Sequence, residues 1–309
     1  MAVDLLCMGE PMLEFNQLPQ AEDGRVLYLE GHGGDTSNAA IAAARQGARV
    51  GYITAIGQDA PGDSLMALWE REGVDTETVI RTDRALTAVY FVTHDAKGHQ
   101  FLHYRKDSPA ALYGPRDLPR AAIANAKIFF ASGISQGIST SASDAVFAAI
   151  DIARGNGVTV AYDTNYRPRL WPPTRAAAVM HAAIARCDIV LPGMEDAAVL
   201  TGLADPNAIL DFYLRLGPKI VVLKMGEEGA YIGTPDGRMR IESLEVRSVD
   251  ATGAGDAFCG SYLARVLTGD TAEQAARYAV VAAALKCTGY GAVAPIPFAN
   301  DVRAALRNM

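Results

Sequence analysis

Short runs of β-branched and apolar residues recur along the chain, separated by longer stretches whose apolar positions lie three or four apart. Val50–Thr54, Ile128–Ala131, Val158–Tyr162, Ile189–Leu191 and Lys219–Leu223 read as buried strands. Helical patterns cover Thr36–Gln46, Ser139–Asn156, Thr174–Arg186 and Pro206–Leu216. A further first strand is expected in Met1–Cys7. Repeated alternation of strand and helix predicts an α/β fold, a mostly parallel sheet covered by helices on both faces.

Two segments, about 14–31 and 87–110, break this rhythm. They hold strands without intervening helices, such as Ala88–Val92 and Gln100–Tyr104, and Lys97-Gly98 supplies a hairpin turn. They read either as a small sheet forming a lid over the main domain or as antiparallel edge strands of the main sheet. No low-complexity tract, linker or repeat interrupts the chain.

Composition narrows the class. At 309 residues the chain can form one large α/β domain or two modest ones. Hydrophobic residues make up 50% and charged residues 20%, a globular profile. The formal charge of −7 and pI near 5.3 argue against a nucleic-acid partner, which needs a basic face, but not against a single nucleotide. No apolar run reaches the ~20 residues of a membrane span, and the N-terminus lacks a basic leader region. Cys7, Cys187, Cys259 and Cys287 are scattered without a C-x-x-C pair, which fits reduced thiols in a cytoplasmic protein. The five histidines form no H-E-x-x-H, so a metallohydrolase has little support.

The strongest chemical signal is Ser248-Val249-Asp250-Ala251-Thr252-Gly253-Ala254-Gly255-Asp256-Ala257-Phe258, expected to join a short strand to a helix. Gly253, Ala254 and Gly255 let backbone N–H groups approach a ligand closely, and at a helix N-terminus those amides favour an anion. Asp256 stands one turn in, where its carboxylate can reach a hydroxyl lying over the same amides. Phosphoryl transfer needs that pairing of a charge cradle with a base. A Gly-rich helix entry with a dipole-stabilising Asp is the plainer reading. A dinucleotide fingerprint would need a glycine where Phe258 stands, and a Walker loop needs a Gly-Lys pair that the chain lacks.

Asp250–Asp256 resembles the C-terminal signature of the ribokinase-like (PfkB-type) carbohydrate kinases. Gly33-Gly34-Asp35-Thr36-Ser37-Asn38-Ala39-Ala40, followed by Gly47 and Gly57, resembles the N-terminal one. The two lie over two hundred residues apart, so the resemblance covers essentially the whole chain as one domain. It implies a doubly wound, mostly parallel sheet with a β-lid, ATP and Mg²⁺ as cofactors, and Asp256 as catalytic base. The amides of Gly253, Ala254, Gly255 and Asp256 would form the anion hole, where losing one donor typically costs ~100–1000-fold in rate. Gly34 and Asn38 would touch the sugar, although Asn38 also suits simple helix capping.

Met8–Phe15, Tyr104–Ala111 and Asp163–Trp171 look like the 2-keto-3-deoxygluconate kinases, in which Tyr90, Tyr104, Arg105 and Arg167 would contact substrate. A sugar acid carries a carboxylate, and Arg is the side chain best shaped to hold one. Surface charge around a Pro-rich turn is the alternative for Arg167 and Arg169, and an exposed lid residue is the alternative for Arg105. By the same resemblance Asn165 lies near the transferring phosphate. Magnesium would be held through water by Asp196 or Glu195, in a motif where Gly193 and Asp196 replace the family's Asn and Glu. A monovalent cation would sit beside Asp250, where Ala251 replaces the usual Thr, Ser or Pro. ATP would lie against Lys224, Gly226 and Gly229, with Thr252, Gly253 and Gly255 at its phosphates, though a plain hairpin also explains residues 226–230. The helix Ala275–Cys287 and loop Gly289–Ala292 would wall the adenine. The neighbouring alternatives are a kinase for fructose, ribose or a nucleoside, and a catalytically silent sugar-binding regulator. A lid with an apolar outer face would pair copies as a homodimer or a higher homo-oligomer.

Overall fold

The computed structural model describes residues 3–18, 24–95 and 98–308. Thirteen strands lie among them: β1 (Leu5–Met8), β2 (Met12–Gln17), β3 (Tyr28–Gly33), β4 (Val50–Gly57), β5 (Val79–Thr82), β6 (Val89–Asp95), β7 (Gly98–Tyr104), β8 (Ile128–Ser132), β9 (Thr159–Asp163), β10 (Ile189–Val190), β11 (Ile220–Lys224), β12 (Ala230–Thr234) and β13 (Gly237–Ile241). Nine form one sheet in the order β13-β12-β11-β10-β9-β8-β1-β4-β5. Neighbours from β11 to β5 run parallel, while β12 and β13 close one edge as antiparallel hairpins.

Alternating side chains feed two cores. Along β1, Leu5 and Cys7 enter one, while Leu6 and Met8 enter the other. The first core is covered by helices Asp35–Arg45, Ala60–Glu72, Ala254–Leu267 and Ala272–Lys286. The second is covered by helices Thr140–Gly155, Pro173–Ile184 and Pro206–Leu216. Because both faces of β1, β4 and β8 to β11 are dry, these strands carry apolar residues at successive positions, which is why their sequence signal is a short continuous run.

The strands after Pro11 and after Thr87 form a second sheet of their own, in the order β3-β2-β6-β7, and are not edge strands of the large one. It is mixed, because β2 and β6 pair in parallel. Asp95 pairs with Gly98 across the expected hairpin; Lys97 of the expected turn lies outside the described residues, as do Met1, Ala2 and part of the 14–31 segment. Strand and helix ends moved by a residue or two, as at β9 and β11. Ser248-Val249 is no strand. Residues 242–249 are irregular, and the Val249 and Asp250 amides donate to the Cys287 carbonyl at 2.7 and 3.2 Å instead of to a ladder. Helix Ala60–Glu72 went unread, although its Asp59 cap accepts from the Gly62 amide at 2.8 Å and Gly73 ends it.

The parallel strands diverge in connection at β1. One route leaves β1 toward β4, and the other places β8 on its opposite side. Such a switch point opens a crevice beyond the carboxyl ends of the strands.

Candidate active site

Residues at or just beyond the carboxyl ends of four strands converge on that crevice: Glu10 after β1, Ser132 ending β8, Asp163 ending β9 and Lys224 ending β11. Two helices meet above them. Helix Asp35–Arg45 starts at Gly34, whose φ of 110° and close approach to the Glu10 carbonyl leave no room for a Cβ. Helix Ala254–Leu267 starts at Gly253, with φ 76° in the left-handed region that glycine adopts freely. A Cβ on Gly260 would lie 2.0 Å from the Ala39 carbonyl oxygen, so the two helices touch backbone to backbone one turn beyond Asp256.

That crossing sets the central hydrogen bond. Asn38 Nδ2 donates to Asp256 Oδ2 at 2.8 Å, and Asn165 Nδ2 donates to Asp35 Oδ2 at 3.1 Å and to Asp256 Oδ1 at 3.5 Å. Asn165 takes a positive φ of 33°, and its amide donates to Asp163 Oδ1 at 3.2 Å, a local turn that aims its side chain between the two acids. Ser132 Oγ also donates to Asp35. Burial, then the charge of Asp35, pushes Asp256 up to about 7, with Asp163 adding to the rise and Asn38 and Lys224 opposing it. Asp35 is raised by burial as well.

The amides at the helix entry divide in two. Ala254 N–H donates to the Ala251 carbonyl at 3.1 Å, so the turn itself occupies one donor expected in the anion hole. Those of Gly253, Gly255 and Asp256 have no backbone partner among the described residues. Thr252 lies in the same turn, its amide donating to Asp250 Oδ1 at 2.8 Å. Lys224 Nζ donates to Asp163 Oδ2 at 2.6 Å and lies 3.5 Å from where a Cβ on Gly255 would stand. Burial works against that ammonium, but Asp163, Cys259 and Asp256 hold its pKa above the usual lysine range. Gly226 opens a 3-10 turn between β11 and β12, and Gly229 packs on the Ile241 carbonyl, so the hairpin explanation of these two glycines stands beside any nucleotide role.

The second sheet faces the crevice with Tyr90, buried and donating its hydroxyl to Glu14, and with His103 stacked on the Tyr90 ring at 5.5 Å. Tyr104 lies on the opposite face, edge-on to Phe91 at 6.0 Å and 60% exposed, because successive strand residues point to opposite sides. His103, and not Tyr104, shares the Tyr90 face of the sheet. Burial, then the nearby guanidiniums of Arg105, Arg169 and Arg167, lowers His103 to about 4. Arg105 also donates to buried Glu10, whose other oxygen accepts from Ser108 Oγ at 2.9 Å. Arg167 is exposed, bonds its neighbour's carbonyl at 3.0 Å and favours ionisation of Asp35 and Asp196.

Asp196 accepts from the Tyr166 amide at 3.0 Å and is raised by burial and by Asp163, while Glu195 is exposed in the first turn of helix Met194–Thr201. No group of three or more His, Cys, Asp or Glu side chains among the described residues could hold a metal by itself. Magnesium usually keeps waters and phosphate oxygens and takes only one or two carboxylates, so this sparse set still fits it. Sequence reasoning passed over Asp35, Asp163, Glu10 and His103. Asp35, Glu10 and Asp163 each lie within a motif that carries the resemblance, and Asp35's position before an early-helix Asn was the signal available.

A doubly wound sheet with a second small sheet, and a half-buried acid at a glycine-rich helix entry, define a ribokinase-like α/β protein. The chain belongs to the pfkB family of carbohydrate kinases, whose family model matches residues 4–299. It is 33% identical over 92% of its length to a 2-dehydro-3-deoxygluconokinase of Thermoproteus tenax, covering 88% of that protein. It is 31% identical to fructokinase-1 of Oryza sativa subsp. japonica, covering 89% of this chain and 88% of the relative. A fructokinase with bound ATP from Xylella fastidiosa superposes with a TM-score of 0.90 at 25% identity, covering 100% of this chain and 99% of the other. The chain is therefore a carbohydrate kinase, a phosphotransferase with an alcohol acceptor. Among the described residues no helix is long and apolar enough to cross a membrane.

Proposed function

We propose that the chain phosphorylates 2-keto-3-deoxygluconate (2-dehydro-3-deoxygluconate) at its terminal hydroxyl, with ATP as donor. The observation that carries the chemistry is Asp256, an acid pushed up to about 7 at the N-terminus of a helix whose Gly253, Gly255 and Asp256 amides have no backbone partner among the described residues. A base of that pKa suits proton removal near neutrality. In the reaction the sugar oxygen forms a bond to the γ-phosphorus, the bond from that phosphorus to the ADP oxygen breaks, and the hydroxyl proton passes to the Asp256 carboxylate. The free amides and the Lys224 ammonium face the growing phosphate charge. Magnesium, held through water by Asp196 with Asp163 near, would neutralise the donor's phosphates.

The acceptor side rests on unpartnered atoms. Asp35 Oδ1, Asn38 Oδ1 and Arg105 Nε are buried without a hydrogen-bond partner among the described residues, a set of two acceptors and one donor suited to sugar hydroxyls and a carboxylate. Three guanidiniums near His103 favour an acid, with Arg169 added to the expected Arg105 and Arg167. Similarity to a 2-dehydro-3-deoxygluconokinase supports the same substrate. In this reading the small sheet acts as a lid over the sugar, with Tyr90 and His103 on its inner face.

A neutral sugar such as fructose is the second reading, favoured by the Glu10–Arg105 pair, which already satisfies part of one arginine's charge. An ADP-release panel over acid and neutral sugars separates the two. A preference for fructose over every sugar acid would end the first reading.

A further inference from the structure

Lys286 is fully buried at the end of helix Ala272–Lys286, and the chemistry proposed above does not use it. A buried ammonium is costly unless something nearby requires its charge. Its Nζ donates to the Asp250 carbonyl oxygen at 2.7 Å. The Asp250 carboxylate is held by two amides, Thr252 N–H on Oδ1 and Gly291 N–H on Oδ2, both at 2.8 Å. Residue 250 thus ties three segments together: the 250–256 turn, the end of the last core helix and the 289–292 loop, whose Ala292 packs against Gly253. The acids around Lys286 are Asp250, Asp256 and Glu14, with the Cys287 thiol also near. Burial lowers its pKa, and those neighbours resist the fall.

The family resemblance puts a monovalent cation beside Asp250. A free cation there would compete with a fixed ammonium for the same carbonyl and the same negative field. Those residues do not fit the ion, because a fixed ammonium on the Asp250 carbonyl already supplies a single positive charge there.

We propose that the Lys286 ammonium serves as a built-in monovalent cation for the 250–256 turn, so that this kinase orders its anion-binding amides without potassium. The ammonium carries the same single charge, binds carbonyl oxygen in the same way, and is delivered by the helix end instead of by solution. The proposal rests on the kinase reading of Asp256 and adds to it a positioning residue behind the turn.

The test compares the wild-type chain with Lys286→Met and Lys286→Gln in potassium, sodium and tetramethylammonium buffers of equal ionic strength. The readouts are the rate on the best sugar of the panel, ATP affinity by calorimetry and the thermal midpoint. Wild-type rate should stay within about twofold across the three cations, and its midpoint should not move with potassium. Either variant should lose about tenfold or more in rate and bind ATP more weakly in tetramethylammonium, then recover part of both in potassium. Lys286→Gln keeps a donor for the Asp250 carbonyl without the charge, so it answers the question should the Met variant fail to fold. Potassium activation of the wild type by about tenfold, or variants indifferent to every cation, would overturn the proposal. Should no sugar accept phosphate, the kinase chemistry fails separately, and the potassium dependence of midpoint and ATP affinity still decides the role of Lys286.

Discussion

Asp256 combines a position that sequence indicated with a pKa that it could not. Its carboxyl is raised first by burial and then by the charges of Asp35 and Asp163, which come from strand and helix ends far away in the chain. kcat/KM should therefore fall with decreasing pH below about 7, since the base must be ionised, and a pH–rate profile flat from 5 to 8 would remove Asp256 from that role. Asp256→Asn should fold, bind ATP and lose ~100–10,000-fold in rate. The linkage sign follows from the raised pKa. Asp256 adds stability below the ordinary carboxyl range and loses it as pH rises through about 7. Asp256→Asn should then melt higher than wild type at pH ~8 and show little difference at pH ~4, by calorimetry at both values. For the acceptor, Arg105→Ala and Arg167→Ala should raise KM for a sugar acid far more than for a neutral sugar. Equal rises would point away from carboxylate recognition.

At the scale of elements, the contact between helices Asp35–Arg45 and Ala254–Leu267 decides whether Asn38 reaches Asp256. Gly260→Ala places a methyl on the Ala39 carbonyl, and the helices must separate. A loss of ~1–3 kcal/mol or more in stability is expected, together with a fall in rate. Gly155→Ala is the matching control, with nothing within 4 Å of the new Cβ and an expected change near zero or slightly stabilising. Denaturant titration of both variants measures the contrast, and equal stability would mean that the crossing tolerates separation. The parallel strands β1, β4 and β8 to β11 were legible because they are dry on both faces, whereas the partly exposed β5, the largely exposed β13, and β12 between β11 and β13 went unread. The helix after Asp59 was not legible, and the irregular run before Asp250 was not either, since Leu244–Arg247 alternates apolar and polar residues and suits a strand unless one knows that no neighbour offers it a ladder.

On the scale of the whole molecule, the second sheet carries two unlike faces. One holds Tyr90 and His103 toward the crevice. The other holds Phe15 stacked on Phe91 at 5.1 Å, with Tyr28, Leu102 and Tyr104 exposed around them. An apolar face of this kind is what pairing of two copies requires. Sedimentation should give about twice the 32.7 kDa chain mass, reduced to one chain by Leu102→Glu with Tyr104→Glu; a wild-type monomer would leave this face without a partner. The sequence by itself determined the alternation of strands and helices, the two glycine-rich motifs and the acid at the second helix entry, because these are local patterns of period, backbone freedom and charge. Only the tertiary structure decided which acids crowd Asp256, that Tyr104 turns away while His103 turns in, and that Lys286 lies buried behind the Asp250 turn. Those outcomes depend on strand register, on a helix crossing and on charges brought together from distant segments, and no local stretch of chain encodes them.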